Sequence, residues 1–258
     1  MPKFSANLTM MFTERPLPDR FATAAAAGFE AVEVQFPYEM PAQAIAEHLA
    51  EAGLTLDLIN LPPGNLAAGD RGLAVYPERR AEFEASVGTA LGYAATTGAK
   101  KLHLMAGIAD PDDAGARTAF LSAIALAANA AGPDRTILLE PLNGRDVPGY
   151  FLNDFDQAAA IIAELALPNV KLQFDFYHRQ IIAGDVMSAF VRFQPIIGHV
   201  QFASVPDRGE PDRGELAYTR IFDMLDDLGH EGFVGAEYAP RGRTEDGLGW
   251  FQPFRNRN

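Results

Sequence analysis

The chain has 258 residues, 48% hydrophobic, 10% aromatic and 21% charged, which excludes a disordered chain and supplies the apolar side chains of a large core. Its 21 Lys and Arg against 34 Asp and Glu leave a formal charge of −13, a surface that repels phosphate backbones and speaks against a nucleic-acid partner. No cysteine is present, so disulfides, thiolate metal sites, iron–sulfur clusters and Cys nucleophiles are excluded.

The opening MPKFSANLTMMF is broken by Ser5, Asn7 and Thr9 and carries one Lys, unlike a basic region followed by an apolar signal core. The most apolar helical stretch, 119–131, is too short to span a bilayer. The expectation is a soluble, cytoplasmic protein with no membrane partner.

Strand-like and helix-like segments alternate along the chain. Residues 4–12 read as a strand, 19–27 as a helix closed by Gly28, 31–36 as a strand, and 41–52 as a helix closed by Gly53. A strand at 54–61 leads through a long loop into a helix at 77–97 that stops at Gly98. In that helix Phe83, Val87, Ala90, Leu91 and Ala94 form one apolar stripe. Gly after a helix suits a left-handed stop, and Pro41 and Pro77 suit first-turn positions. The order continues with strand 101–106, helix 111–131, strand 136–141 and helix 155–165. Strand 170–177 and a helix near 185–193 come next, then strand 197–203 and helix 216–228. Strand 233–238 and an amphipathic helix at 244–254 complete it.

Eight strand–helix units of about 32 residues each match the βα repeat spacing and the count that closes a parallel barrel. The expected fold is α/β, a single (β/α)8 TIM barrel over residues 1–258. An open doubly wound sheet usually has a Gly-rich turn after its first strand; here that turn reads TERPLPD, without GxGxxG.

Catalytic groups of such a barrel sit at the C-terminal ends of its strands. Four consecutive strands end in oxygen donors: Glu140, Asp175, Gln201 and Glu237. If strand alternation turns them inward, they converge at the mouth. Three packed carboxylates repel one another unless a cation joins them. An all-oxygen donor set favours a divalent metal, Mg²⁺ or Mn²⁺, over Zn²⁺.

At these residues the chain resembles the hydroxypyruvate isomerase family, within the xylose-isomerase-like barrels. The resemblance covers essentially the whole chain and rests on FSANLTMMF, GFEAVEVQFPY, LINLPPGNLAAGDRGLA, LLEPLNGRDVPGYFL, FDFYH, GHVQFA, PDRGEPDRGELAY and GAEYAPRGRTEDGLGW. It implies that Glu140, Asp175, Gln201 and Glu237 bind the metal, that Glu140 and Glu237 are also the acid–base pair, and that His178 and Arg208 contact substrate oxygens. Asp146 stands where relatives carry an acid near the substrate. Related ketose 3-epimerases have His at the position of Gln201, so the isomerase variant is favoured over a ketose 3-epimerase. LNGRDVPGYFL and AAGDRGLA look like hydroxypyruvate isomerases. PRGRTEDGLGWF, LMAGI and VPDRGEP look like the 2-oxotetronate isomerases.

The expected reaction interconverts hydroxypyruvate and tartronate semialdehyde through an enediolate, with 2-oxotetronate isomerisation as the alternative. The substrate is a small 2-oxo acid, and the resemblance adds a homo-oligomer as partner. Arg208 suits a substrate carboxylate, with Arg71 in the 62–76 loop as a second candidate. His103 reads either as a substrate contact or as a core histidine, and Asn7 and Asn60 either line the pocket or orient a loop. His199 reads as a buried hydrogen-bonding residue, His48 and His230 as surface residues, and Trp250 and Phe251 as packing residues. The tandem PDRGE at 206–210 and 211–215 suits an ordered loop over the mouth.

Overall fold

The computed structural model describes residues 1–255. Eight strands close into one barrel in chain order, every neighbouring pair parallel. They are β1 (Lys3–Asn7), β2 (Ala31–Val34), β3 (Thr55–Asn60), β4 (Lys101–His103), β5 (Thr136–Leu139), β6 (Val170–Asp175), β7 (Ile197–Phe202) and β8 (Phe233–Ala236). The helices are α1 (Leu17–Ala26), α2 (Ala42–Ala52), α3 (Arg80–Thr97), α4 (Ala114–Ala131), α5 (Phe155–Leu165), α6 (Phe176–Ala183), α7 (Val186–Phe193) and α8 (Tyr218–Asp227). The expected TIM barrel is the fold found. Among the described residues no helix is long and apolar enough to cross a membrane.

The apolar core lies between strands and helices. Outward-facing Phe4 of β1 meets Phe202, Phe222, Trp250 and Phe254 edge-on, with ring centroids 5.8, 4.9, 5.2 and 5.0 Å away. This cluster seals the seam where β1 meets β8, and edge-on aromatic pairs add to the burial itself. Inside the barrel, where branched apolar residues are usual, the buried side chains include Ser5, Glu33, Asp57, Gln173 and His199.

Several boundaries differ from the expected ones. β1 stops at Asn7 rather than residue 12, because Met10 and Met11 both donate their amides to the Asn7 carbonyl and the chain turns there. β4 ends at His103 rather than at residue 106. Glu140 and Glu237 each lie one residue past the paired part of their strand. β6 ends at Asp175 rather than residue 177, and α6, absent from the sequence reading, follows at once. The helix expected at Thr244–Phe254 is there as a kinked 3-10 helix with Pro253 inside, and it buries Thr244, Leu248 and Phe251. His48 is not a plain surface residue, since its ring stacks on Phe21 at 5.6 Å. His230 is also partly buried.

Candidate active site

Strand alternation turns the predicted residues toward the barrel axis at its C-terminal mouth. Register sets Asp175 beside Gln201 and Gln201 beside Gly235. Glu140, Asp175 and Glu237 are buried, with exposures of 4%, 0% and 4%.

Asp175 ends its strand by capping the next helix. Its Oδ1 accepts from the Tyr177 amide at 2.7 Å, satisfying an otherwise orphaned first-turn donor of α6. That cap places His178 in the first turn of α6, its Nε2 3.8 Å from Asp175 Oδ2. Asp175 Oδ2 and Glu140 Oε1 are buried without a hydrogen-bond partner. Glu140 Oε2 lies 3.6 Å from His103 Nδ1. Glu140, Asp175 and His178 each offer a ligand atom, and these atoms lie within 4.8 Å of one another.

Glu237 has the opposite surroundings. Oε1 accepts from Asn7 Nδ2 at 3.1 Å and Gln35 Nε2 at 2.6 Å, and Oε2 accepts from Arg208 Nη2 at 2.8 Å. Arg208 stacks over the Tyr177 ring at 4.9 Å and reaches Asp146 Oδ2 at 3.5 Å. The Tyr177 hydroxyl donates to the other Asp146 oxygen at 3.1 Å.

Burial, then the charges of Glu237 and Asp175, pushes the Glu140 carboxyl well above the usual range. Asp175 rises to about 7, chiefly from burial, with Arg208 opposing. Burial also raises Glu237, against the pull of Arg208. At Arg208 burial opposes the charge, but Glu237, Asp175, Glu140 and Asp146 outweigh it and keep the guanidinium protonated. Burial drives His178 well below its ordinary value and takes His103 down to about 3.

His178 has a determined tautomer. The Asn143 backbone N–H donates to Nδ1 at 3.0 Å and the Asn143 side-chain amide lies 2.8 Å from the same atom. Nδ1 is therefore an acceptor, and in a neutral ring the proton sits on Nε2, which lies between Arg208 Nη2 at 3.5 Å and Asp175 Oδ2 at 3.8 Å.

Not every expected residue joins the site. Arg71 Nη1 donates to the carbonyls of Leu66 and Asp70 in its own loop, at 3.3 and 2.7 Å, and the structure gives it no contact with the acidic cluster. Gln201 is at the site, but its Oε1 accepts from Gln173 Nε2 at 2.5 Å and its Nε2 donates to Glu33 Oε2 at 2.7 Å. The sequence reading missed Asn143, Gln35, Tyr177, Gln173 and Glu33. Glu33 had a signal: an acid in the middle of the apolar strand AVEV.

A model of the family described as "Xylose isomerase-like TIM barrel" matches residues 21–254. The chain belongs to that family. It is 50% identical over 260 residues to a 2-oxo-tetronate isomerase of Cupriavidus necator, covering 100% of both chains. A putative hydroxypyruvate isomerase of Homo sapiens is 44% identical over 265 residues, covering 99% of this chain and 96% of the human one. A Brucella melitensis crystal structure described as an AP endonuclease of family 2 superposes with a TM-score of 0.97 at 44% identity, covering 99% of this chain and 100% of the other. Full-length relatives are named as isomerases, and this protein is an isomerase.

Proposed function

We propose that this isomerase moves a proton between C3 and C2 of a small acid, interconverting its 2-oxo-3-hydroxy and 2-hydroxy-3-oxo forms. The observation that carries the reading is the meeting of Glu140, Asp175 and Glu237, with unpartnered oxygens on the first two, beside the Nε2–H of His178 and the Arg208 guanidinium. Hydroxypyruvate and 2-oxotetronate both fit this reaction and differ by one hydroxymethyl group on C3. The 50% identity to a 2-oxo-tetronate isomerase favours the larger acid. The second reading, hydroxypyruvate, is favoured by the human relative and by the 142–152 segment that supplies Asn143 and Asp146.

The donor set fits a divalent ion. Two orphaned carboxylate oxygens in a buried site suit a cation, and oxygen donors suit Mg²⁺ or Mn²⁺. Glu140, Asp175, Gln201 and Glu237 would hold it. When bound, such an ion polarises adjacent carbonyl and hydroxyl oxygens.

The chain's own residues supply the rest. Arg208 binds the substrate carboxylate, for which its planar fork is suited. Glu140 and Glu237 face the substrate from two sides, so one carboxylate takes the carbon-bound proton and a protonated carboxyl returns one to the neighbouring carbon. The His178 Nε2–H donates to a substrate oxygen that gains negative charge in the enediolate. Asn7 and Gln35 hold Glu237 in one orientation. A net charge of −13 opposes a phosphate backbone and speaks against cleavage of DNA.

Proton NMR of each acid incubated with the enzyme in D₂O tests the reading. Deuterium at C2 or C3 and appearance of the isomer are expected, lost in Glu140→Gln and Glu237→Gln proteins that remain folded. Near-wild-type turnover in either variant removes that residue from proton transfer, and no exchange with either acid overturns the reaction.

A further inference from the structure

Beneath the mouth a second group of charged residues is sealed inside the barrel. Glu33, Asp57 and His199 offer ligand atoms within 4.8 Å of one another. The neighbouring cation is Lys101, whose Nζ lies 2.9 Å from Asp57 Oδ2 and 3.1 Å from His199 Nδ1.

An ammonium can only donate. His199 Nδ1 therefore accepts from Lys101, and the ring proton of a neutral imidazole sits on Nε2. Nε2 lies 2.9 Å from Glu33 Oε1, which also accepts from the Ser5 hydroxyl at 2.6 Å. The other Glu33 oxygen, Oε2, has Gln201 Nε2 at 2.7 Å. The donors are fixed one after another from Lys101 as far as Glu33 Oε1, and an ionised Glu33 accepts at Oε2 as well. An acceptor at Glu33 Oε2 requires the NH₂ of the Gln201 amide to face it. The Gln201 carbonyl oxygen must then face away, where it accepts from Gln173 and keeps a second lone pair.

We infer that Glu33 is a positioning residue: braced by Lys101, His199 and Ser5, it holds the Gln201 amide so that its oxygen rather than its NH₂ is offered to a cation. The wrong rotamer would present two N–H groups to a positive ion. Gly235, beside Gln201 in the ladder, makes room for the Glu33 carboxylate; a Cβ there would lie 2.2 Å from Glu33 Oε1. The inference rests on the reading of Gln201 as a ligand.

The test is a Mn²⁺ titration followed by electron paramagnetic resonance on wild type, Gln201→Ala, Glu33→Gln and the double variant, with circular dichroism to establish folding. A Gln at position 33 places an amide where two acceptor oxygens stood and releases the Gln201 orientation. Loss of an outer-shell partner lowers metal affinity about ten- to hundredfold, and that is the expected rise in Kd for Glu33→Gln. The double variant should match Gln201→Ala within about twofold, because Glu33 acts only through Gln201. Unchanged affinity in Glu33→Gln, beside a weakened Gln201→Ala, overturns the inference while the ligand reading stands. Independent losses that multiply in the double variant overturn it too, since Glu33 then acts through its charge. Unchanged affinity in Gln201→Ala overturns the ligand reading itself. Should Glu33→Gln fail to fold, wild-type protein labelled with ¹⁵N-glutamine and titrated with Mg²⁺ decides the matter. A Gln201 NH₂ that stays protected from solvent exchange supports the inference, and a freely exchanging one refutes it.

Discussion

Replacing Gly235 with Ala tests the packing beneath the site with a single methyl group. The new carbon would stand 2.2 Å from Glu33 Oε1 and 2.8 Å from both its Cδ and Oε2. Ordinary contact begins near 3.4 Å, so the carboxylate must retreat by about 1 Å or more. It has little freedom to do so, because Ser5, His199 and Gln201 hold it at 2.6, 2.9 and 2.7 Å. Hydrogen bonds to a charged group contribute about 1.5–3 kcal/mol each, and overpacking a full core costs about 1–3 kcal/mol. Losing one or two of these bonds while crowding the barrel should destabilise the fold by about 4 kcal/mol, a large share of the ~5–15 kcal/mol usual for a domain. Urea unfolding followed by circular dichroism measures it. Gly88→Ala is the control, since that glycine lies exposed in α3 with open space around it, and the same methyl there should stabilise by about 0.5–1 kcal/mol. A loss below about 1 kcal/mol for Gly235→Ala would refute the account of Glu33 as locked in place.

Protein exhaustively chelated and verified as metal-free should be inactive, with Mn²⁺ restoring turnover; full activity without metal would remove the ion from the reaction. The stability that Mn²⁺ adds should grow as pH rises from about 5.5 to about 8. Raised carboxyls such as Asp175, at about 7, favour the metal-free fold while protonated, and that contribution disappears as pH climbs through their folded values. Buried neutral His103, His178 and His199 act in the opposite sense: below about 6.5 the unfolded chain takes up their protons and stability falls. Their effect cancels when melting temperatures with and without Mn²⁺ are subtracted, and a pH-independent difference would contradict the assignment. The Asn143 backbone N–H should keep His178 Nδ1 unprotonated even when the Asn143 side chain is removed, so the ¹⁵N imidazole pattern of Asn143→Ala should retain the ring proton on Nε2, and its transfer to Nδ1 would sink the argument. Arg241→Ala should raise KM more than it lowers kcat. Arg241 joins Ser204, Asp207, Glu210 and Asp212 of the loop that carries Arg208, and equal effects on both constants would show that this clasp does not position the carboxylate-binding arginine.

The barrel was legible in the sequence because strand-like and helix-like segments alternate through eight units. Gly53 and Gly98 end α2 and α3 in the left-handed conformation, as expected. The strand-end acids were legible because a carboxylate at the close of an apolar run has few structural uses. What escaped notice depended on contacts distant in sequence. Glu33 meets His199 across 166 positions and Gln201 across 168, and no local pattern announces such partners. The short helix α6 was hidden because FDFYH continues the apolar run of β6; only the Asp175 cap ends the strand. The tandem PDRGE shows the limit most plainly. Arg208 of the first copy reaches Glu237, whereas Arg213 of the second lies at the surface, although both occupy the same place in identical pentapeptides.

The two oxygens of Asp175 serve different masters. One is committed to the opening turn of α6, and the other looks into the cluster of acids. A glutamate could not replace it, since one extra methylene would either unseat the turn or overshoot the centre. Any ligand that draws on the free oxygen will also tug on the helix carrying His178, so the imidazole travels with the carboxylate that introduces it.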